Sequence, residues 1–240
     1  MALPEVVSHE EWLEARLALL AQEKEETHRR TALAAERRRM PMVRVDKNYV
    51  FEGPKGPISL RELFGDATQL IVQHVMFGPD WEAACPGCTA SIDTLPAAVL
   101  AQVRSRDTEF ALVSLAPLAK LQAYADARGW NVPWYSSAGS DFNVDFEVTL
   151  DRERQPRFNY ADAVGMLEEG EDTFEMPGYS SFLRDGEDIY HTYSVYARGA
   201  EPTIQAYAFL DMTAFGRSEE WEEPKGRAHK LHGADPTFSD

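Results

Sequence analysis

The sequence predicts an α/β fold, a largely parallel sheet covered by helices, and three observations carry that expectation. Short apolar runs of strand length, residues 70–77 and 109–115, alternate with longer stretches whose apolar residues recur at helical spacing. Ser8 with Glu11, and Ser59 with Glu62, have the offset of a capping box, which marks helix starts. The two cysteines of the 240-residue chain, Cys85 and Cys88, follow the first of those strands with two residues between them. A chain of this length buries a sizeable core, and one domain with extensions is expected rather than two.

Residues 8–39 read as one long helix. Ser8 caps it, Trp12, Leu13, Leu17, Leu20 and Ala21 form an apolar stripe, and Arg37, Arg38 and Arg39 suit the negative end of its dipole. This arm, residues 1–40, precedes a compact domain over 41–217. Its stripe needs a partner surface, so a homodimer through the N-terminal helix is one expectation. The domain opens with a strand over 43–51 and a Gly-Pro turn over 53–57, then a short helix that Gly65 ends. After the central strand and the cysteines, 89–106 is helical in composition, and Pro96 must kink or divide it. The second buried strand leads to Pro117, which opens a helix with Leu118, Leu121, Tyr124 and Ala125 on its apolar face and Gly129 as its stop.

From about 140 to 180 the pattern degrades into an insertion that caps one edge of the domain. Residues 141–148 alternate polar and apolar as a strand does, and the rest is acidic and irregular. Two strands joined through Asp185-Gly186 make a final hairpin, 206–213 is the last helix, and 218–240 is a polar tail.

Composition is that of an ordinary globular protein, 44% hydrophobic and 27% charged. A net charge of −16 argues against nucleic acid or an anionic membrane surface as partner. No run approaches the length of a membrane span, and the N-terminus lacks the basic-then-apolar pattern of a signal peptide. So few cysteines make no structural disulfide framework, and a cytoplasmic location is expected.

Strand, loop, Cys85-Pro86-Gly87-Cys88 and helix is the setting in which a Cys-X-X-Cys motif does redox chemistry. Cys85 falls at the N-cap. Pro86 falls at the first helical position, where its missing N–H costs nothing and its φ is pre-set. A thiolate at Cys85 faces unpaired N–H groups and the positive end of the helix dipole, which favours the nucleophilic anion. Cys88, one turn on, is the resolving thiol. Two blander readings stand beside this one: half a zinc site, for which no second Cys-X-X-Cys or His-X-X-X-His supplies the missing ligands, and an inert pair. No phosphate loop, Ser-His-Asp order or zinc-protease motif appears, and no cofactor is expected.

The order of these elements resembles the thioredoxin-like superfamily, and its redoxin branch in particular. There a capped short helix, a buried strand, a Cys-Pro-X-Cys motif, a further strand and helix, and a final hairpin recur in this order. The stretches 12–20, 77–81, 116–120, 139–143 and 191–199 are similar to the bacterial family catalogued as domain of unknown function 899, and the resemblance covers about residues 12–217. It implies a thioredoxin-like three-layer sandwich with a long N-terminal helix and an insertion before the final hairpin. It also implies dithiol–disulfide activity, without naming a substrate. Three features depart from the superfamily pattern. The place of the cis-proline that faces the cysteines falls near Tyr179, where the nearest proline is Pro177. Trp81 stands four residues ahead of Cys85 rather than directly before it. The Thr or Ser and the Pro that precede the reactive cysteine in the peroxidase branch are replaced by Glu82 and Gly78, which speaks against a peroxidase.

His74, on the strand feeding the motif, is a candidate to tune the Cys85 thiolate or shuttle a proton, against the plainer reading of a core histidine hydrogen-bonded in place. His191 has the same ambiguity. Trp81, Trp130, Trp134 and Tyr135 are candidates to line a substrate groove, or simply to pack. Asp141 and Asp145 would share a strand face, and a solvated face accounts for them better than a metal. Two functions remain: a dithiol–disulfide oxidoreductase acting on a protein or small-molecule disulfide or thiol, and a non-catalytic thioredoxin-like binding or redox-sensing protein. Fold alone does not choose between them.

Overall fold

The computed structural model describes residues 3–227. Helix α1 (His9–Arg39) begins as its capping box dictates, with Ser8 Oγ accepting from the Glu11 N–H and the Glu11 carboxylate accepting from the Ser8 N–H at 2.9 Å. None of its residues is buried, and Trp12 and Leu17 are 52% and 56% exposed, so the domain does not cover its apolar stripe. At its end Arg37 lies over the Tyr193 ring, 5.0 Å from the centroid.

In chain order follow β1 (Val43–Arg44), β2 (Val50–Gly53), β3 (Gly56–Ser59), β4 (Gln69–His74), α2 (Pro86–Asp93), α3 (Ala97–Arg104), β5 (Thr108–Ser114), α4 (Leu118–Arg128) and β6 (Trp134–Ser136). Then come α5 (Phe142–Asp145), β7 (Thr149–Asp151), β8 (Arg157–Phe158), β9 (Ala161–Asp162), β10 (Thr173–Glu175), β11 (Gly178–Asp185), β12 (Asp188–Tyr196) and α6 (Gln205–Leu210). Eight strands form one sheet in the order β1-β12-β11-β4-β5-β6-β2-β3. Only β4–β5 and β5–β6 are parallel, so the sheet is mixed rather than largely parallel. The hairpins β2–β3 and β11–β12 and the edge strand β1 add antiparallel pairs around a parallel centre. The side-by-side order β12-β11-β4-β5, with α2 following β4, is the thioredoxin-like arrangement.

Three local expectations change. The strand expected over 43–51 is two, β1 against β12 at one edge and β2 against β3 and β6 near the other. The expected strand over 141–148 is instead the short helix α5, so Asp141 and Asp145 share a helical face, where both accept from Lys47 Nζ. Between α4 and α5, the three-residue strand β6 appears where no strand was expected. Pro96 does divide the helical stretch after the cysteines, as the N-cap of α3. The tail expected over 218–240 lies outside the described residues from 228 onward.

Strand alternation sorts the interior into two cores, one on each face of the sheet. Leu70, Val72, Ala111 and Val113 join Phe51, Phe64, Phe142, Phe146 and Phe182 on one face. Val75, Phe110 and Leu112 join Phe77, Cys88, Ile92, Leu100, Leu121 and Trp134 on the other, under α2, α3 and α4. A third core, including Val148, Leu150, Phe158, Leu167 and Met176, sits within the segment between β6 and β11 and takes Tyr196 from the sheet. Each fully buried Leu or Phe contributes roughly 1.5–3 kcal/mol.

Candidate functional site

The chain leaves β4 and keeps pairing for three more residues, with the Val75 N–H donating to Val113 O and the Ala116 N–H to Phe77 O. The loop beyond turns back sharply. A Cβ on Gly78 would meet Trp81 Nε1 at 2.9 Å, so the indole lies where only glycine leaves room. Lys120 Nζ donates to Trp81 O at 2.8 Å and pins the loop to α4. The Cys85 N–H then donates to Met76 O at 2.9 Å, which returns the chain to the end of the strand it left.

Cys85 is the N-cap of α2 and Pro86 its first residue; the first intrahelical bond runs from the Thr89 N–H to Cys85 O at 2.9 Å. Cys85 therefore stands at the positive end of α2, partly exposed, while Cys88 is 6% exposed and packs in the core. The two come within 4.2 Å of each other. Trp81, Cys85 and Tyr179 pack against the same core that buries Cys88.

Beside the cysteines opens a cavity of about 440 Å³. Its apolar wall includes Met76, Met166, Phe174, Met176 and Ile204, so both the insertion and the 3₁₀ turn Ala197–Thr203 with the residues after it enclose the site. Its polar floor is a chain of hydrogen bonds. Gln73 Nε2 donates to Ser91 Oγ at 3.3 Å, Ser91 Oγ and the Tyr179 hydroxyl share a bond of 3.1 Å, and Thr203 Oγ1 donates to the Tyr179 hydroxyl at 3.2 Å. Burial, with a smaller contribution from Cys88, raises the Tyr179 pKa and keeps the phenol protonated. Pro177 lines the cavity one residue before β11; among the described residues only the Glu223–Pro224 peptide bond is cis, so the bond preceding Pro177 is trans.

The structure thus brings together Cys85, Cys88, Pro86, Trp81 and Tyr179. It places the His74 ring elsewhere. His74 contributes to the cavity wall, but its ring packs among Phe142 and Phe146 on the other face of the sheet. There Nε2 shares a 2.8 Å bond with Ser180 Oγ, which continues through Ser194 Oγ to His191 Nε2. Burial, aided by His191, pushes His74 down to about 3, so the imidazole is neutral. Trp130 and Trp134 pack on each other, ring centroids 5.7 Å apart, and Tyr135 packs on the opposite core, so none of the three lines the cavity. Asp141 and Asp145 are bound by Lys47, and Arg154 donates to Asp141. Among the described residues no cluster of three or more His, Cys, Asp or Glu side chains is arranged to hold a metal, and no helix is long and apolar enough to cross a membrane.

Sequence reasoning missed Gln73, Ser91 and the methionines. A signal existed for two of them. Alternation along β4 puts Gln73 on the face that α2 covers, and Ser91 lies three residues after Cys88 on one helical face. Nothing local marks Met166, Phe174 or Met176, which arrive from the irregular segment.

A sequence profile of the family described as bacterial protein of unknown function (DUF899) matches residues 1–234. No curated protein matches the chain. Among solved structures, the bacterioferritin comigratory protein of Xanthomonas campestris, described by its alkyl peroxide reduction activity, is 13% identical at a TM-score of 0.43, covering 69% of this chain and 91% of its own. A PrxQ variant of Xylella fastidiosa is 11% identical at 0.44, covering 71% and 97%. The peroxidoxin BcpB of Mycobacterium tuberculosis is 16% identical at 0.41, covering 67% and 93%.

Proposed function

The chain belongs to the DUF899 family of bacterial proteins of unknown function, and we propose that its chemistry is dithiol–disulfide exchange, with Cys85 as nucleophile and Cys88 as resolving thiol. One observation carries this reading: two cysteines 4.2 Å apart differ in access and in electrostatic setting. Cys85 is partly exposed at the positive end of α2, and Cys88 is buried behind it. That is the asymmetry the exchange needs.

The Cys85 thiolate attacks one sulfur of a substrate disulfide. A Cys85–substrate bond forms, the substrate S–S bond breaks, and the departing thiolate takes a proton from solvent. Cys88, losing its proton, attacks the Cys85 sulfur; the Cys85–Cys88 bond forms and the second substrate thiol leaves. The substrate gains two electrons and the protein loses two, which an external dithiol reductant returns. Peroxide reduction, named for the Xanthomonas protein, is not proposed here, because an exposed Glu82 stands where the peroxidase branch has Thr or Ser.

Trapping tests the reading. Cys88→Ser, lacking the resolving thiol, should hold a mixed disulfide through Cys85, and Cys85→Ser should hold none and lose disulfide reduction. Absence of any trapped species, together with a wild type that turns over no disulfide, would transfer the reading to a ligand-binding or redox-sensing protein, which the enclosed cavity favours. We also propose that α1 pairs with a second copy of the chain.

A further inference from the structure

Resting on the dithiol reading, we propose that the cavity selects a small, uncharged thiol or disulfide with an apolar body and one amide or hydroxyl group, rather than the disulfide of a folded protein. Gln73 points to it. This residue is 3% exposed and lines the cavity with Cys85, Cys88 and Ser91. One end of its amide bonds Ser91, and the other, Oε1, has no hydrogen-bond partner. Exchanging the two ends changes nothing, since in either orientation one end meets Ser91 and the other meets no protein group. Folded proteins rarely leave a buried polar end unmatched, and a ligand that brings its own hydrogen-bonding group satisfies it.

The remaining chemistry of the wall sets the rest of the ligand. Met76, Met166, Phe174 and Met176 offer an apolar, adaptable surface that suits an aliphatic or thioether-like chain. The charged groups of the wall are already matched: Glu201 accepts from Arg198 Nε and from Arg217 Nη1, each at 2.8 Å. Gln73, Ser91, Tyr179 and Thr203 are polar without charge, so the interior holds nothing to pair with an ionic ligand. The volume, about 440 Å³, lies within the range of about 300–1,000 Å³ typical of small-molecule sites. Ser91 follows Cys88 by one turn on the same helical face, so a sulfur at Cys85 and a polar group at Gln73 belong to one short molecule.

The test uses the pre-reduced full chain and single-turnover rates with three disulfides: N,N′-diacetylcystamine, neutral with two amides; oxidised glutathione, charged; and insulin, a protein. Diacetylcystamine should react at least about tenfold faster than either of the others. Gln73→Leu should cut that rate about tenfold while leaving dipropyl disulfide, which has no amide, within about twofold. Ala200→Trp, placed on the 3₁₀ turn at the wall and not in the core, should slow both small disulfides and covers the case in which Gln73→Leu misfolds. Calorimetry of N-acetylcysteamine binding to the Cys85→Ser/Cys88→Ser protein, with and without Gln73→Leu, separates the two claims. Binding that Gln73→Leu weakens, with no disulfide turned over, keeps the pocket and removes the dithiol reading. Insulin or glutathione reacting as fast as diacetylcystamine, or a Gln73→Leu effect equal on both small disulfides, overturns the selection and leaves the dithiol chemistry standing.

Discussion

Glu175 shows at the scale of one residue how the insertion is attached. It is 4% exposed, and its partners are neutral: Oε1 accepts from Thr149 Oγ1 at 2.6 Å and Oε2 from Asn143 Nδ2 at 3.0 Å. Burial pushes its pKa up from 4.5 to about 7, against the pull of those two bonds. Between these two values the folded state holds a proton that the unfolded state has lost, so stability falls as pH rises through the window. The loss is complete above about 7 and amounts to roughly 3 kcal/mol at most. His74 acts in the opposite direction: it is held neutral with a pKa of about 3 against 6.5, so its contribution is complete above 6.5 and lost as pH falls toward 3. Glu175→Gln keeps one donor and one acceptor for the same two partners. It should match wild type in thermal unfolding near pH 4.5 and be the more stable protein at pH 8. Parallel stability–pH curves for the two proteins would contradict the ionisation argument. The cysteines give a second test at this scale: in the two single-cysteine variants, alkylation of Cys85 should gain rate at lower pH than alkylation of Cys88, because the start of α2 stabilises only the first thiolate.

At the scale of elements, what the sequence revealed and what it hid have physical causes. Capping boxes are local, so the starts at Ser8 and Ser59 were legible, as was the break at Pro96. Residues 141–148 were not, because Phe142 and Phe146 fit two periods at once. They alternate as in a strand, yet lie four apart, and in α5 their rings stack 4.6 Å apart within one core. The run 43–51 misled for another reason: alternation reports a buried face but not which sheet edge is paired, and this stretch serves both edges. Helix α1 was legible as a helix, and its charge pattern bears on its partner. Its first part, 9–26, has six acidic residues against two basic, and 27–39 has five basic against one acidic. Antiparallel pairing of two copies sets each acidic half on a basic one and covers Trp12, Leu13 and Leu17 in a two-fold interface. Sedimentation should therefore find a dimer that deletion of residues 1–40 converts to a monomer, and that Arg29→Glu with Arg30→Glu weakens. A full-length monomer at tens of micromolar, or a truncated chain that stays dimeric, would rule this pairing out.

At the scale of the whole molecule, the reactive pair depends on a core remote in sequence. The motif and its strand are contiguous, which made Cys85, Pro86 and Cys88 readable, but the cavity wall is assembled from the third core. Leu150, fully buried on β7, lies opposite Phe174 on β10, and Phe174 and Met176 form part of the wall beside the cysteines. That core is tied to the sheet by the Tyr196 hydroxyl, which donates to Phe146 O at 2.9 Å, and by the Tyr160 hydroxyl, which donates to Ser194 O at 2.8 Å. Leu150→Ala and Leu70→Ala both empty fully buried sites, the second in the core on the far face of the sheet, and each should cost about 2–5 kcal/mol. Their effects on Cys88 should differ. Loosening the third core lowers the free energy of a local opening that exposes the cysteines, whereas loosening the far core acts through global unfolding. Native-state labelling of Cys88 by iodoacetamide should therefore accelerate more in Leu150→Ala than in Leu70→Ala when the two have lost equal stability. Equal acceleration would mean that the wall opens only with the whole domain, and that the insertion encloses the site without gating it.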